Sequence, residues 1–283
     1  MTTGLHREQV APGIARLIVP TDTLPPATAT NAWLLGEDTL TVVDPGASDP
    51  TVQAAVVEAL ANEVVERIVL THHHPDHTSG ARHLSNATGA PIVAHPDTAP
   101  FFGPLDHTVR DADTLATGPW SWTVLHTPGH AHGHICLLRP SDGHVVIGDL
   151  LAGEGTILIA PPEGHLATYL HSLRRVRALG AQVALPAHGP ALHAPALLDH
   201  YLHHRHNRTL QVRSRLTKHA HTPLELASHI YADIPAAFHG IAAHQLQAHL
   251  TWLIERDLVQ ATPAGSYSWT GPADAPPSTP PTR

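Results

Sequence analysis

Over the first two thirds of the chain, short runs of β-branched and apolar residues alternate with turn residues, the pattern of strands packed on at least one face. These runs predict strands over 14–19, 32–35, 40–43, 67–71, 92–94, 122–126, 135–139, 144–147 and 183–186. Gly36-Glu37-Asp38 and Ser141-Asp142-Gly143 provide turns, so several neighbours pair as hairpins. Apolar positions at helical spacing predict helices over 51–61, 78–88 and 167–179. The reading is a mixed α/β domain whose sheets are covered by helices. From about Pro195 the strand pattern stops, and helices are expected over 196–218, 224–231 and 242–257. A hairpin over 258–270 follows, turning at Pro263-Ala264-Gly265-Ser266. Helices closed by a hairpin describe a winged helix. The expected organisation is a mixed α/β domain over 1–195, a linking helix over 196–220, a winged-helix-like domain over 221–271 and a disordered tail over 272–283. The tail, dominated by Pro, Ala, Ser and Thr, buries too little apolar surface to order itself.

Composition narrows the function classes. The 283 residues are 42% apolar, enough for a large core, and carry a formal net charge of -8. That balance argues against a general nucleic-acid coat, because binding a polyanion without sequence preference depends on Lys and Arg. Cys136 is the only cysteine and lies in an apolar run, which rules out an intramolecular disulfide and a thiolate zinc cluster. The polar stretch 1–10 lacks the apolar core of a signal peptide, and no run reaches the ~18 apolar residues of a membrane span. A cytoplasmic setting is therefore expected. With 27 histidines in the chain, a single histidine says nothing about metal binding. The run His200, His203, His204 and His206 fits one polar face of a helix.

The informative segment is Thr71-His72-His73-His74-Pro75-Asp76-His77, between a β-branched run and a helical pattern. In an extended turn His72 and His74, two apart, face the same side. Asp76 and His77 come round on the next turn, a geometry that can feed two adjacent metals. Imidazole and carboxylate donors without thiolate suit Zn2+, Fe2+ or Mn2+ in a site that keeps a water position open. Three further strand ends each offer one donor: His130 in Thr127-Pro128-Gly129-His130, Asp149 after Val146-Ile147-Gly148, and His188 in Leu185-Pro186-Ala187-His188.

In this order the set resembles the metallo-beta-lactamase superfamily, across roughly residues 13–200. The resemblance implies a four-layer αββα sandwich. It implies a first metal held by His72, His74 and His130, a second held by Asp76, His77 and His188, and Asp149 bridging both. Two divalent ions follow, Zn2+ first, with Mn2+ or Fe2+ as alternatives. It further implies that Asp44 supports the metal loop from behind, that Asn31 occupies a recurrent position, and that His132 and His134 are not ligands, the later one being structural. Gly148-Asp149-Leu150-Leu151 followed by Gly155-Thr156, the segment Leu185 to Pro190, His204-Arg205 and the helical C-terminus resemble the beta-lactamase-like-protein-2 group. Members of that group carry a C-terminal winged helix and include a mitochondrial endoribonuclease.

The expected activity is hydrolysis by a metal-bound hydroxide, with Asp76 and Asp149 as catalytic residues. Candidate substrates are esters, thioesters, lactones and RNA phosphodiesters. The apolar segment 157–164, after the bridging Asp, suits an acyl group in the pocket. For single-stranded RNA, Arg205, Arg208, Arg213, Arg215 and Lys218 form a basic helical stretch that could follow a phosphate backbone, whereas 241–253 contains no Lys or Arg. Two readings of other classes are a mono-iron oxidoreductase resembling persulfide dioxygenases and a non-catalytic DNA-binding regulator. The sequence does not indicate an oligomeric state.

Overall fold

A computed structural model describes residues 4–272. The first sheet has the order β1-β2-β3-β4-β5-β6-β7, formed by β1 (His6–Ala11), β2 (Ile14–Pro20), β3 (Ala29–Leu35), β4 (Thr39–Val43), β5 (Val64–Val69), β6 (Ile92–Ala94) and β7 (His107–Thr108). The second has the order β13-β12-β11-β10-β9-β8, formed by β8 (Thr114–Thr117), β9 (Trp120–His126), β10 (Ile135–Arg139), β11 (His144–Gly148), β12 (Val183–Pro186) and β13 (Leu192–His193). Pairing is antiparallel except from β4 to β7 and between β11 and β12.

Successive strand residues point to opposite faces, and the core divides accordingly. Trp33, Leu35, Val43 and Val69 meet Trp122, Val124, Leu137 and Val146 between the two sheets. The alternate residues Leu34, Val42 and Ile68 pack outward, beneath α1 (Pro50–Ala59) and, after the short α2 (Pro75–Thr78), α3 (Ala81–Thr88). On the outer face of the second sheet, Cys136, Leu138, Val145 and Ile147 pack with Leu166, Tyr169, Leu170 and Leu173. These last four lie on α5 (Leu166–Ala178), which follows the short α4 (Ala99–Phe102). The layers are helix, sheet, sheet, helix, the expected four-layer sandwich.

Four strands carry no local signal strong enough to predict them. β1 is mostly exposed, β7 and β13 are two residues long, and β8 shows no clean alternation. The helix expected over 78–88 starts only at Ala81, as α3, with the separate α2 before it across a turn at Ser79-Gly80, where the chain is pressed against the Pro45 loop. A Cβ on Gly80 would stand 2.0 Å from the Pro45 carbonyl oxygen. The strand expected over 67–71 leaves its ladder after Val69. There Thr71 O accepts from Ile135 N at 2.8 Å, tying the second sheet to the first just before His72.

The C-terminal unit comprises α6 (Ala194–Leu216), α7 (Pro223–Ile230), α8 (His239–Ile254) and a hairpin of β14 (Val259–Ala261) and β15 (Tyr267–Trp269). Helix α6 joins two cores: Leu198 and Tyr201 pack with the sandwich, while Val212 and Leu216 pack with α7 and α8. His200, His203 and His206 lie on its exposed face. The tail expected to be disordered lies, except for Pro272, outside the described residues. Among the described residues no helix is long and apolar enough to cross a membrane.

His249 of α8 is fully buried at the joint with α6, with Nδ1 2.8 Å from Thr209 Oγ1. Burial, reinforced by Arg205, Arg208 and His204, holds its pKa well below the usual value. The folded protein keeps this imidazole neutral, whereas the unfolded chain takes up a proton below about pH 6.5. Its contribution to stability is therefore present above that pH and is lost as the pH falls through it. The urea midpoint is expected to fall between about pH 7 and about pH 5, and to fall less in His249→Gln. An equal fall in both proteins would show that His249 does not carry the effect.

Candidate metal centre

The donors sit where strands end. His72, His74, Asp76 and His77 follow β5, His130 lies between β9 and β10, Asp149 follows β11 and His188 follows β12. They form two groups, His72 with His74, His130 and Asp149, and Asp76 with His77 and His188. In the first group, His74 Nδ1 lies 2.9 Å from both His72 Nε2 and His130 Nε2, and Asp149 Oδ2 lies 3.5 Å from His130 Nε2. In the second, His188 Nε2 lies 3.5 Å from Asp76 Oδ2. The other oxygen of Asp149, Oδ1, is 3.6 Å from His77 Nε2 and 3.4 Å from His188 Nε2. One carboxylate thus faces both groups, one oxygen to each. All seven residues expected from the sequence are brought together.

The opposite ring nitrogens are anchored, which sets where each imidazole points. His77 Nδ1 donates to Asp44 Oδ2 at 2.9 Å, His130 Nδ1 to Leu158 O at 2.8 Å and His188 Nδ1 to Ala29 O at 2.9 Å. Thr71 Oγ1 donates to Asp44 Oδ2 and accepts from His72 Nδ1 at 3.0 Å. Such partners fix the tautomer, leaving the inward nitrogens as lone-pair donors. Asp44 also accepts from Thr71 N at 2.7 Å, and reaches these groups from a left-handed backbone at φ 53°. Close backbone packing completes the loop: a Cβ on Gly46 would stand 1.7 Å from Asp76 O. Asn31 Nδ2 donates to Pro186 O and Gly189 O, fixing the turn that carries His188. His134 Nε2 accepts from Asp149 N at 3.1 Å, a structural role that places the bridging candidate.

Electrostatically the site is arranged for cations. Burial pushes His72 well below its usual pKa and lowers His130 to about 4, so both are neutral near pH 7. Burial alone would raise the Asp149 carboxyl, but His77, His130 and His188 hold it far below the usual carboxylate range. Although burial opposes it, Asp149 and Asp44 raise the pKa of His77. His77 Nε2 and Asp149 Oδ1 are buried without a hydrogen-bond partner. Orphaned buried donors and acceptors are costly, and converging lone pairs need a cation or a proton between them. The residues present fit divalent metal ions.

Two features are not legible in the sequence. Glu163 Oε2 stands 3.3 Å from His73 Nε2 and 3.5 Å from His74 Nε2, a pairing between distant parts of the chain with no local signal. His95 and His126, each uninformative as a single histidine, stack with ring centroids 3.9 Å apart. The basic stretch on α6 is only partly a surface feature. Arg205 is 1% exposed and donates to Ile157 O, and Arg208 is half-buried, donating to Ile230 O with its guanidinium 3.9 Å from the Tyr231 ring centroid.

Comparison with known proteins gives the family. Residues 25–188, more than half of the chain, match the metallo-beta-lactamase superfamily, and residues 222–269 match the beta-lactamase associated winged helix domain. The chain belongs to the metallo-beta-lactamase superfamily and is a hydrolase of that fold. It is 26% identical over 252 residues to a beta-lactamase-like protein 2 homolog of Caenorhabditis elegans, covering 86% of this chain and 84% of that one. It is 36% identical over 143 residues to a hydroxyacylglutathione hydrolase of Rhodospirillum rubrum, covering 50% and 53%. A metallo-beta-lactamase family protein from Thermus thermophilus superposes with TM-score 0.79 at 23% identity, over 93% of this chain and all of that one.

Proposed function

We propose that this hydrolase holds one divalent ion at His72, His74 and His130 and a second at Asp76, His77 and His188, with Asp149 between them, and cleaves esters or thioesters of small acyl groups. The observation that carries the two-ion reading is Asp149, whose two oxygens face the two groups separately. Five imidazoles and two carboxylates are a donor set suited to zinc. Bound there, such ions supply an activated water at neutral pH and polarise the attacked carbonyl. Asp76, a member of the second group, also lines the cavity, where its carboxylate would accept a hydrogen bond from the attacking water.

The cavity above the donors measures about 510 Å³. Leu24, Ala27, Ala152, Ile157, Leu158 and Ala160 give it an apolar wall, as expected of the 157–164 segment. Its charged lining residues beyond the centre are Asp22, Glu154 and Glu163, with no Lys or Arg among the described residues that line it. A phosphate backbone is held chiefly by Lys and Arg, so this wall suits an uncharged acyl chain better than RNA. The likeness to a hydroxyacylglutathione hydrolase supports an acylated thiol as the substrate.

Metal-replete protein is expected to hydrolyse neutral acyl thioesters, to lose that activity to a chelator and to regain it with zinc or manganese. Metal analysis should find two ions per chain. Cleavage of single-stranded RNA with no thioesterase activity would replace this reading by a ribonuclease. One iron with oxygen consumption would replace it by a dioxygenase.

A further inference from the structure

Two consecutive peptide groups in the loop between β11 and α5, spanning Ile157 to Ile159, are held at three atoms. Ile157 O accepts from Arg205 Nη2 of α6, Leu158 O accepts from His130 Nδ1, and Ile159 N donates to Gln245 Oε1 of α8 at 2.9 Å. Further along the same loop, Glu163 stands 3.5 Å from His74 Nε2, while its other oxygen accepts from His132 N at 3.1 Å. The loop therefore presents acceptors to the outward nitrogens of two of the three histidines in the first group. Two of the three holds on its backbone, those of Arg205 and Gln245, come from helices of the C-terminal unit.

Arg205 is an expensive way to fill space. It is 1% exposed, and among the described residues no carboxylate lies within ion-pair distance of it. Its charge is met by the Ile157 carbonyl and by the Tyr169 ring, whose centroid is 5.3 Å away. Burying a cation with so little compensation costs more than packing an aliphatic side chain of similar size. What the guanidinium supplies that an aliphatic chain cannot is a directed donor to one carbonyl. Gln245 is likewise 6% exposed, and its Nε2 has no partner, so only its acceptor is used.

We propose that Arg205 and Gln245 are positioning residues for the metal centre. Through the 157–163 loop they fix Leu158 O and Glu163, which orient His130 and His74. This rests on the reading of His72, His74 and His130 as metal ligands. It gives α6 and α8 of the C-terminal unit a part in the hydrolytic site itself.

The test uses full-length protein titrated with Co2+, followed by its visible absorption and by competition with a chelator. Gln245→Leu and Arg205→Met are expected to weaken one of the two sites by about tenfold, within the range for partners behind metal ligands, and to shift its absorption band. Gln245→Glu, which keeps the acceptor oxygen, should restore both affinity and spectrum. Arg208→Met is the control for a merely structural effect, since Arg208 lies one turn further along α6 and grips Ile230 O and the Tyr231 ring instead. It should lower thermal stability and leave cobalt affinity unchanged. Wild-type affinity and spectrum in both Gln245→Leu and Arg205→Met would overturn the proposal, as would equal weakening in Arg208→Met. Wild-type protein that takes up no cobalt would overturn the metal centre itself, and this proposal with it.

Discussion

Asp149→Ala is expected to reduce thioester turnover roughly a thousandfold or more, about 4 kcal/mol at 1.36 kcal/mol per factor of ten. Asp149 is 8% exposed, and its carboxylate is the one group that faces both sets of donors. Its removal takes a negative charge from between the two groups of donors and leaves His77 and His188 with Asp76 as their one remaining shared carboxylate among the described residues. Metal content should fall from two ions per chain to one or none, measured by elemental analysis after dialysis. Folding should survive, because the backbone N–H of Asp149 still donates to His134 Nε2. A variant that retains two ions and near-normal turnover would remove the bridge from the mechanism.

The second large effect belongs to a residue that touches no substrate. Asp44→Ala leaves Thr71 N, Thr71 Oγ1 and His77 Nδ1 without their acceptor in an interior where Asp44 is 2% exposed. Each buried polar group left unpaired costs ~1–3 kcal/mol, so a loss of about 3 kcal/mol or more is expected. Alanine must also adopt the left-handed backbone at φ 53°. The urea midpoint reports the stability, and metal affinity should fall with it because the His77 ring is no longer aimed. Asp44→Asn, which keeps one acceptor oxygen, should lose less. Equal stability of wild type and Asp44→Ala would mean that these hydrogen bonds contribute nothing net to the fold.

The centre was legible in the sequence because each candidate donor follows a strand whose apolar run is visible locally. His130, Asp149 and His188 could be found that way, and the histidine-rich turn after β5 could be found by its spacing. Strands that depend on a neighbour were not visible. β1, with burial confined to its last two residues, is a strand because β2 pairs with it. The break at Gly80 was hidden for the same reason, since it answers to the Pro45 loop much earlier in the chain. Arg205 belongs to this class too. Charge along a helix describes a solvated face until a distant carbonyl, here that of Ile157, turns one cation inward. Local pattern shows which residues can do chemistry, while the partners that aim them come from elsewhere in the chain.

The outermost strands bear on how the molecule avoids its own kind. An open sheet edge offers unpaired amides to any passing chain, and proteins blunt such edges with charge or with very short strands. β1 at one end of the first sheet carries Arg7 and Glu8, engaged with Glu63 and Arg16, so a strand docking there would have to displace ion pairs. β7 at the other end, and β13 at one end of the second sheet, are two residues long. These three edges are poor templates for strand addition and disfavour edge-to-edge growth there.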